Sequence, residues 1–486
     1  MRNTRITLSL LFLCAALGIL VLSSFNTGLP SFQKAVKQVV QNTKLKGAQI
    51  GISIRNLKNG EEIVGHNSDV LHIPASTLKL VTSFAAIDIL GPAFTFKTEW
   101  IAHGNIDNGI LKGNLLVKGN GDPSFGSEIM WPKGEFQKVL QQFATAVKDA
   151  GITKIEGEVL IDESYLPFPP EHATWQWMDL GNYFASGAWA INAHDNLFTI
   201  TFKQTEILGQ TPEIVKIEPE VPGLILKNEV QTAAANTGDN AYIFGAPYQD
   251  MRIIRGTIPA GTSLFSIKGS LPYPGKFLHY HLTKTLENNG IQVANNSYTV
   301  QNEIARTLIV KESPPLSKLL ELANKESNNL ICEALYHELG KQWKNSSGKK
   351  YDGKMAISEW LQNMSKTSVP FNLEDGSGLS MKNGIAPETL TRLLFEASKN
   401  KHFKVWKNTL PVAGKEGTVK NLIKNPSAFK LYVKSGSLGK VRCYAGYLQL
   451  SSGEEFAVCI MINQHQISSG AIREIFSNFF QTLGAG

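Results

Sequence analysis

The sequence predicts an α+β domain interrupted by a large, mainly β insertion, and three observations carry that reading. A strand pair and an apolar helix open the body of the chain. Helices followed by a three-strand meander close it. Between them, from about Trp100 to Gly275, short alternating runs are punctuated by turn pairs, and long helical patterns become scarce. Joining the outer segments gives a host domain of residues 30–98 and 276–486, with 99–275 inserted.

In chain order, residues 47–64 read as two strands around the turn Leu57-Lys58-Asn59-Gly60, and Ile50, Ile52 and Ile54 supply one buried face. Pro74 opens a helix that runs to Leu90, where Gly91-Pro92 stops it. Asn108-Gly109, Asn120-Gly121 and Gly238-Asp239 mark turns in the middle block, whose one clear amphipathic helix is Glu135 to Ala150. Helical periodicity returns at 276–290, 316–342, 352–363 and 387–400. Strands at 429–434, 441–450 and 456–462 and a helix at 468–483 complete the chain, and no internal repeat appears.

The first residues point to export. Arg2 and Arg5 precede the apolar run Leu8 to Leu22, and the small residues Ser23 and Ser24 follow it. That is the pattern of a signal peptide or an N-terminal anchor over residues 1–24. The body of the protein is therefore expected in the periplasm or cell envelope, with membrane association through the N-terminus if the segment stays attached. Cys14 lies inside the run, and the remaining Cys332, Cys443 and Cys459 make neither a disulfide framework nor a metal pair. No HExxH occurs, and neither a metal nor a cofactor is expected. The net charge of +7 is spread along the chain without aromatic-basic interleaving, which suits solubility and gives no nucleic-acid site.

Seven S-x-x-K patterns begin at Ser31, Ser76, Ser346, Ser347, Ser398, Ser427 and Ser437. Only Ser76 heads an almost wholly apolar helix, with Asp88 the sole charge between Leu80 and Leu90. Positions i and i+3 share a helix face, so Lys79 can reach the Ser76 hydroxyl. A free lysine, with a pKa of about 10.4, cannot act as a base near neutrality. Burial at the head of an apolar helix penalises the ammonium and lowers that value. The competing reading has Ser76 capping the helix and Lys79 reaching out to water.

Two more stretches are rich in polar chemistry. Ser327 and Asn329, within Asn324-Lys325-Glu326-Ser327-Asn328-Asn329, lie where the polar part of an amphipathic helix ends; alone, they read as a capping cluster. In Leu431-Tyr432-Val433-Lys434-Ser435-Gly436-Ser437, alternation puts Phe429, Leu431 and Val433 on one face and Lys434 with Tyr432 on the other. Gly436 leaves room for a substrate backbone beside the strand. Alone, this stretch reads as an exposed edge strand.

Taken together, S-x-x-K, S-x-N and K-[ST]-G in that order resemble the signature of the penicillin-binding proteins and serine β-lactamases. The separation of 248 positions from Lys79 to Ser327 resembles that of the class C low-molecular-mass penicillin-binding proteins, the D-alanyl-D-alanine carboxypeptidases/endopeptidases, which carry inserted domains there. The words Gly119-Asn120-Gly121-Asp122-Pro123-Ser124, Gly157-Glu158-Val159-Leu160-Ile161-Asp162, Asp375-Gly376-Ser377-Gly378-Leu379-Ser380, Leu410-Pro411-Val412-Ala413-Gly414 and Gly417-Thr418 are also similar.

The resemblance implies a penicillin-binding/serine β-lactamase-like transpeptidase domain as the host. It implies Ser76 as nucleophile, Lys79 as base, and Ser327, Asn329 and Lys434 as the proton-handling network. Ser435, Gly436 and Ser437 would bind substrate, with the N–H groups of Ser76 and Ser437 forming the oxyanion hole. The implied partners are peptidoglycan stem peptides, with β-lactam antibiotics as inhibitors. The chain departs from the pattern at Ser435, where threonine is usual, and at Asn328, where aspartate is common; the hydroxyl survives at the first, and the second is not a reacting group. A β-lactamase-like or esterase-like hydrolase and a non-enzymatic wall-binding protein remain as alternatives. No G-x-S-x-G occurs.

Overall fold

The computed structural model describes residues 29–166, 169–297, 304–343, 352–368, 370–424 and 428–485. The expected signal or anchor segment, and the look-alike serines Ser346, Ser347 and Ser427, lie outside these residues.

The host domain is built on a five-stranded antiparallel sheet. Its order is Phe429–Leu438, Val441–Leu450, Glu455–Asn463, Gln49–Asn56, Glu62–His66, so the first strands of the body complete the C-terminal meander. Alternation decides what each face meets. Ile50, Ile52 and Ile54 turn with Leu431, Val433 and Tyr444 toward the Leu29–Val40 and Ser469–Gly484 helices, packing on Phe32, Phe476 and Phe480. The opposite face carries Cys443, Ala445, Ala457, Cys459 and Met461 and lies under a helical layer. Cys332, Cys443 and Cys459 are free, buried thiols.

At the centre of that layer is the helix Lys79–Leu90. Its apolar residues go all the way round, so no face suits water, and every residue from Lys79 to Ile87 is buried. Gly91, at φ 83°, ends it. Around it pack the helices Leu316–Lys325, Asn329–Gln342, Gly353–Ser365 and Pro387–Ser398.

The inserted segment has its own core and sheets. The strands Lys97–Asp107 and Ile110–Gly119 form a hairpin closed by Asn108 (φ 48°) and Gly109 (φ 81°), the double positive φ that a tight two-residue hairpin requires. Ala305–Glu312 returns antiparallel beside Lys97–Asp107, so the segment leaves the host and re-enters it through neighbouring strands. Two three-stranded sheets and the helices Glu135–Asp149 and Pro274–Asn288 complete it.

Two sequence expectations change. The helix expected at 276–290 forms as Pro274–Asn288, but Phe277, Leu278, Leu282 and Leu286 pack in the inserted core, not the host's. Periodicity shows that these residues are buried; it cannot show which core buries them. The helix expected over 316–342 is broken into Leu316–Lys325 and Asn329–Gln342.

Candidate active site

The Ser76 turn is gripped from both sides. Ala75–Leu78 forms a 3₁₀ turn that runs directly into the Lys79–Leu90 helix, and Ala75 sits at φ 45°. A left-handed alanine is strained, and such strain persists only where neighbours enforce it. Two glycines mark those neighbours. A Cβ on Gly378 (φ +84°) would lie 2.0 Å from Ala75 O, and one on Gly436 would lie 2.6 Å from Pro74 O and 3.1 Å from Ser76 N. The expected reason for Gly436, room for a substrate backbone, gives way to a nearer one: room for the turn that carries Ser76.

Lys79 has no exposed surface, which removes the reading in which it reaches out to water. Its Nζ lies 2.9 Å from Ser76 Oγ, 2.6 Å from Asn329 Oδ1 and 2.7 Å from Ser377 O. Asn329 Nδ2 donates to Phe184 O at 2.6 Å, which fixes the amide so that its oxygen faces the lysine. Asn329 Oδ1 and Ser377 O can only accept, whereas a hydroxyl can also donate. An ammonium can donate to all three oxygens, and a neutral amine can donate to the two obligate acceptors and offer its lone pair to the Ser76 proton. Burial lowers the Lys79 pKa, opposed by the groups of Cys332, Glu333 and Asp375. Burial pushes the Cys332 thiol itself up to about 12, so near neutrality the opposing field comes from the two carboxyl groups.

The helix break explains the second cluster. Asn328 accepts from Ile331 N at 3.0 Å and caps the new helix, so the capping reading holds for Asn328 and not for its neighbours. Ser327 adopts φ 61°, a left-handed turn that aims its hydroxyl at Lys434 Nζ, 2.9 Å away. Asn329, the first helical residue, faces Lys79 instead.

Lys434 lies on the edge strand of the five-stranded sheet, yet it is fully buried. It also donates to Ser435 O at 2.9 Å. Burial drives its pKa well down, and the neighbouring Lys79 lowers it further. Ser435 Oγ pairs with Thr418 Oγ1 at 2.7 Å.

Ser76, Ser327, Asn329, Ser435 and Ser437 line one cleft of about 640 Å³. Met178, Asp179, Tyr183, Phe184 and Tyr242, all from the inserted segment, line it too. A cavity of about 700 Å³ between the 122–139 and 311–326 stretches meets this cleft at Glu326 but holds none of the motif residues. Chemistry, not size, singles out the cleft. Among the described residues no group of His, Cys, Asp and Glu is placed to hold a metal ion.

Several residues at the site carry no role in the sequence analysis. Ser377, Asp375 and Thr418 lie in words singled out only as similar to the family. Glu333 had a legible signal: a lone charge among Leu330, Ile331, Cys332, Ala334 and Leu335. His172 had none, because its partner is 161 residues away.

A serine beside a buried lysine, at the junction of a helical layer and an edge strand, defines a class: serine acyl-transfer enzymes of the penicillin-binding type. The comparisons go further. Residues 32–482 match the D-Ala-D-Ala carboxypeptidase 3 (S13) family, and the chain belongs to it. It is thus a class C low-molecular-mass penicillin-binding protein and a serine-type D-Ala-D-Ala carboxypeptidase. It is 28% identical over 458 residues to the D-alanyl-D-alanine carboxypeptidase DacB of Haemophilus influenzae, covering 92% of each chain. It is 24% identical to the D-alanyl-D-alanine carboxypeptidase of Actinomadura sp. strain R39, covering 90% of this chain and 82% of that one. The crystal structure of penicillin binding protein 4 (dacB) from Haemophilus influenzae superposes with a TM-score of 0.78 at 25% identity, covering 92% of this chain and 99% of that one.

Proposed function

We propose that Ser76 attacks the carbonyl of the penultimate D-alanine of a peptidoglycan stem peptide, with Lys79 taking its proton. The observation that carries this reading is the fully buried Lys79 with its Nζ 2.9 Å from Ser76 Oγ, since burial disfavours the ammonium and leaves the amine within reach of the serine proton. The oxyanion formed is held by the N–H groups of Ser76 and Ser437, where a lost donor typically costs on the order of 10²–10³ in rate. As the tetrahedral species collapses, the C–N bond breaks and the leaving amine takes a proton delivered through Ser327. Asn329 and Lys434 hold this network, while Lys434 and Ser435 steer the carboxylate of the terminal residue. Gly436 keeps strand and turn close. Water then hydrolyses the acyl-enzyme and frees Ser76.

The leaving amine defines the activity. A terminal D-alanine makes the reaction a carboxypeptidase step, and a cross-bridge amine makes it an endopeptidase step through the same acyl-enzyme. A β-lactam would acylate Ser76 with its amine still tethered, so no leaving group departs. Such substrates place the protein in the cell envelope, in keeping with the export pattern of residues 1–24. Among the described residues no helix is long and apolar enough to cross a membrane.

Ser76→Ala is expected to abolish labelling by fluorescent penicillin; persistent labelling would sink the assignment. Products from purified peptidoglycan separate the two activities: free D-alanine marks the carboxypeptidase, and conversion of dimers to monomers marks the endopeptidase. Rapid nitrocefin turnover would favour the β-lactamase-like alternative.

A further inference from the structure

Behind Lys79 lies a buried charge cluster that the mechanism above leaves without a task. Glu333 is fully buried on the same helix as Asn329, one turn further on. Its Oε1 accepts from Ser377 N at 2.8 Å, and its Oε2 accepts from Gly376 N at 3.1 Å. The carbonyl of that same Ser377 receives Lys79 Nζ. Glu333 therefore anchors, from behind, the residue that holds the amine in front.

The inserted segment completes the anchor. His172 Nε2 lies 2.8 Å from Glu333 Oε2, and Trp175 Nε1 donates to Asp375 Oδ2 at 2.8 Å. Asp375 in turn accepts from Gly378 N and Ser380 N and so shapes the same loop. A carboxylate sealed from water is costly unless it is paired. Two residues of the insertion thus supply partners for two buried carboxyl groups beside the catalytic lysine.

We infer that Glu333 and His172 are positioning residues for the acyl transfer: Glu333 fixes the Ser377 carbonyl at Lys79, and His172 sets the charge that Lys79 feels. The inference rests on the reading of Lys79 as the base. The groups facing each other are few. Around Lys79 they are Cys332, Glu333, Asp375 and Lys434. Around His172 they are Glu333, Asp375, Glu374, Glu171, Tyr336 and His337. Burial works to lower the His172 pKa, but Glu333 overrides it and the net shift is upward. Burial likewise opposes the Glu333 charge, yet His172 and the loop N–H groups hold its carboxyl down at about 2. His337, pushed down to about 4 by burial, stays neutral and adds no charge near neutrality.

The two residues should act on Lys79 in opposite senses. A negative Glu333 favours the ammonium, and His172 offsets it in its protonated form, which Glu333 favours. His172→Gln removes the offset, so Lys79 holds its proton longer and the acid limb of the pH–acylation profile moves to higher pH. Glu333→Gln removes the negative charge, so the limb moves to lower pH; it also turns one of the two oxygens that accept the loop N–H groups into an NH2 donor, so the plateau falls. The test is the rate of acylation of the full chain by fluorescent penicillin as a function of pH. We expect opposite displacements on the order of one pH unit, with the plateau of Glu333→Gln reduced on the order of 10²-fold. His172→Lys, which restores a cation, should return the midpoint toward the parent's. A His172→Gln profile superimposable on the parent's overturns the inference, even if Glu333→Gln fails to fold, and so do shifts in the same direction. Lys79→Met separates this from the base reading. An inactive Lys79→Met beside an unshifted His172→Gln removes the positioning role alone, whereas an unaltered Lys79→Met removes both.

Discussion

Ser76 and Lys79 owe their relationship to one turn of backbone, and Lys79 owes its chemistry to what surrounds that turn. Lys79 and Lys434 are both buried and both shifted down from the ordinary lysine value of 10.5, first by burial. A lysine depressed in the folded state binds fewer protons there than in the unfolded chain. The cost of burying the cation is therefore fully present below the folded pKa and is relieved as pH rises toward 10.5. Lys79→Met should lose acylation yet gain about 0.5–2 kcal/mol of stability. The gain should be largest at low pH and fade in alkaline solution, as urea unfolding across pH would measure. A uniform loss of stability would mean that the lysine is a structural asset. Both lysines were legible as chemistry from their motifs. Their burial was only partly legible, since Lys434 also read as exposed on an edge strand.

At the scale of elements, the site is the place where three of them come too close for side chains. The 3₁₀ turn Ala75–Leu78 sits between the 375–380 loop and the Phe429–Leu438 strand, with Gly378 and Gly436 at the contacts. Gly436→Ala should push the turn away from the strand, because its Cβ would meet Pro74 O at 2.6 Å. Overpacking of this kind costs about 1–3 kcal/mol. We expect the larger effect on penicillin acylation, on the order of 10²-fold for a displacement near 1 Å. Unchanged acylation with lowered stability would show that the turn does not depend on the strand. The other element the site needs is the break between Leu316–Lys325 and Asn329–Gln342. Apolar periodicity stands on both sides of the polar run Asn324 to Asn329, so the sequence reads as one helix. What ends the first helix is Ser327 at φ 61° opposite Lys434, and that pairing spans 107 residues.

At the scale of the molecule, the insertion is both a separate core and a wall of the cleft. Its first and last strands pair Lys97 with Glu312, and just outside them Ser313 N donates to Phe96 O while Phe96 N donates to Ser313 Oγ. Ends that lie side by side suit a segment that folds by itself. We propose residues 97–312 as that unit, and expect it, expressed alone, to unfold cooperatively with the secondary structure of the inserted core; a non-cooperative transition in calorimetry would refute this. The sequence by itself determined the α+β class, the strand pair and meander, the turn at Asn108-Gly109 and the three motifs. Each of these is written in local periodicity, turn chemistry or short spacing. Only the tertiary structure decided which core claims Phe277 and Leu286, and that His172 and Trp175 reach Glu333 and Asp375 behind Lys79. The physical reason is range: a buried carboxylate needs a partner in space, and a chain that loops out for two hundred residues can supply one from any point along it.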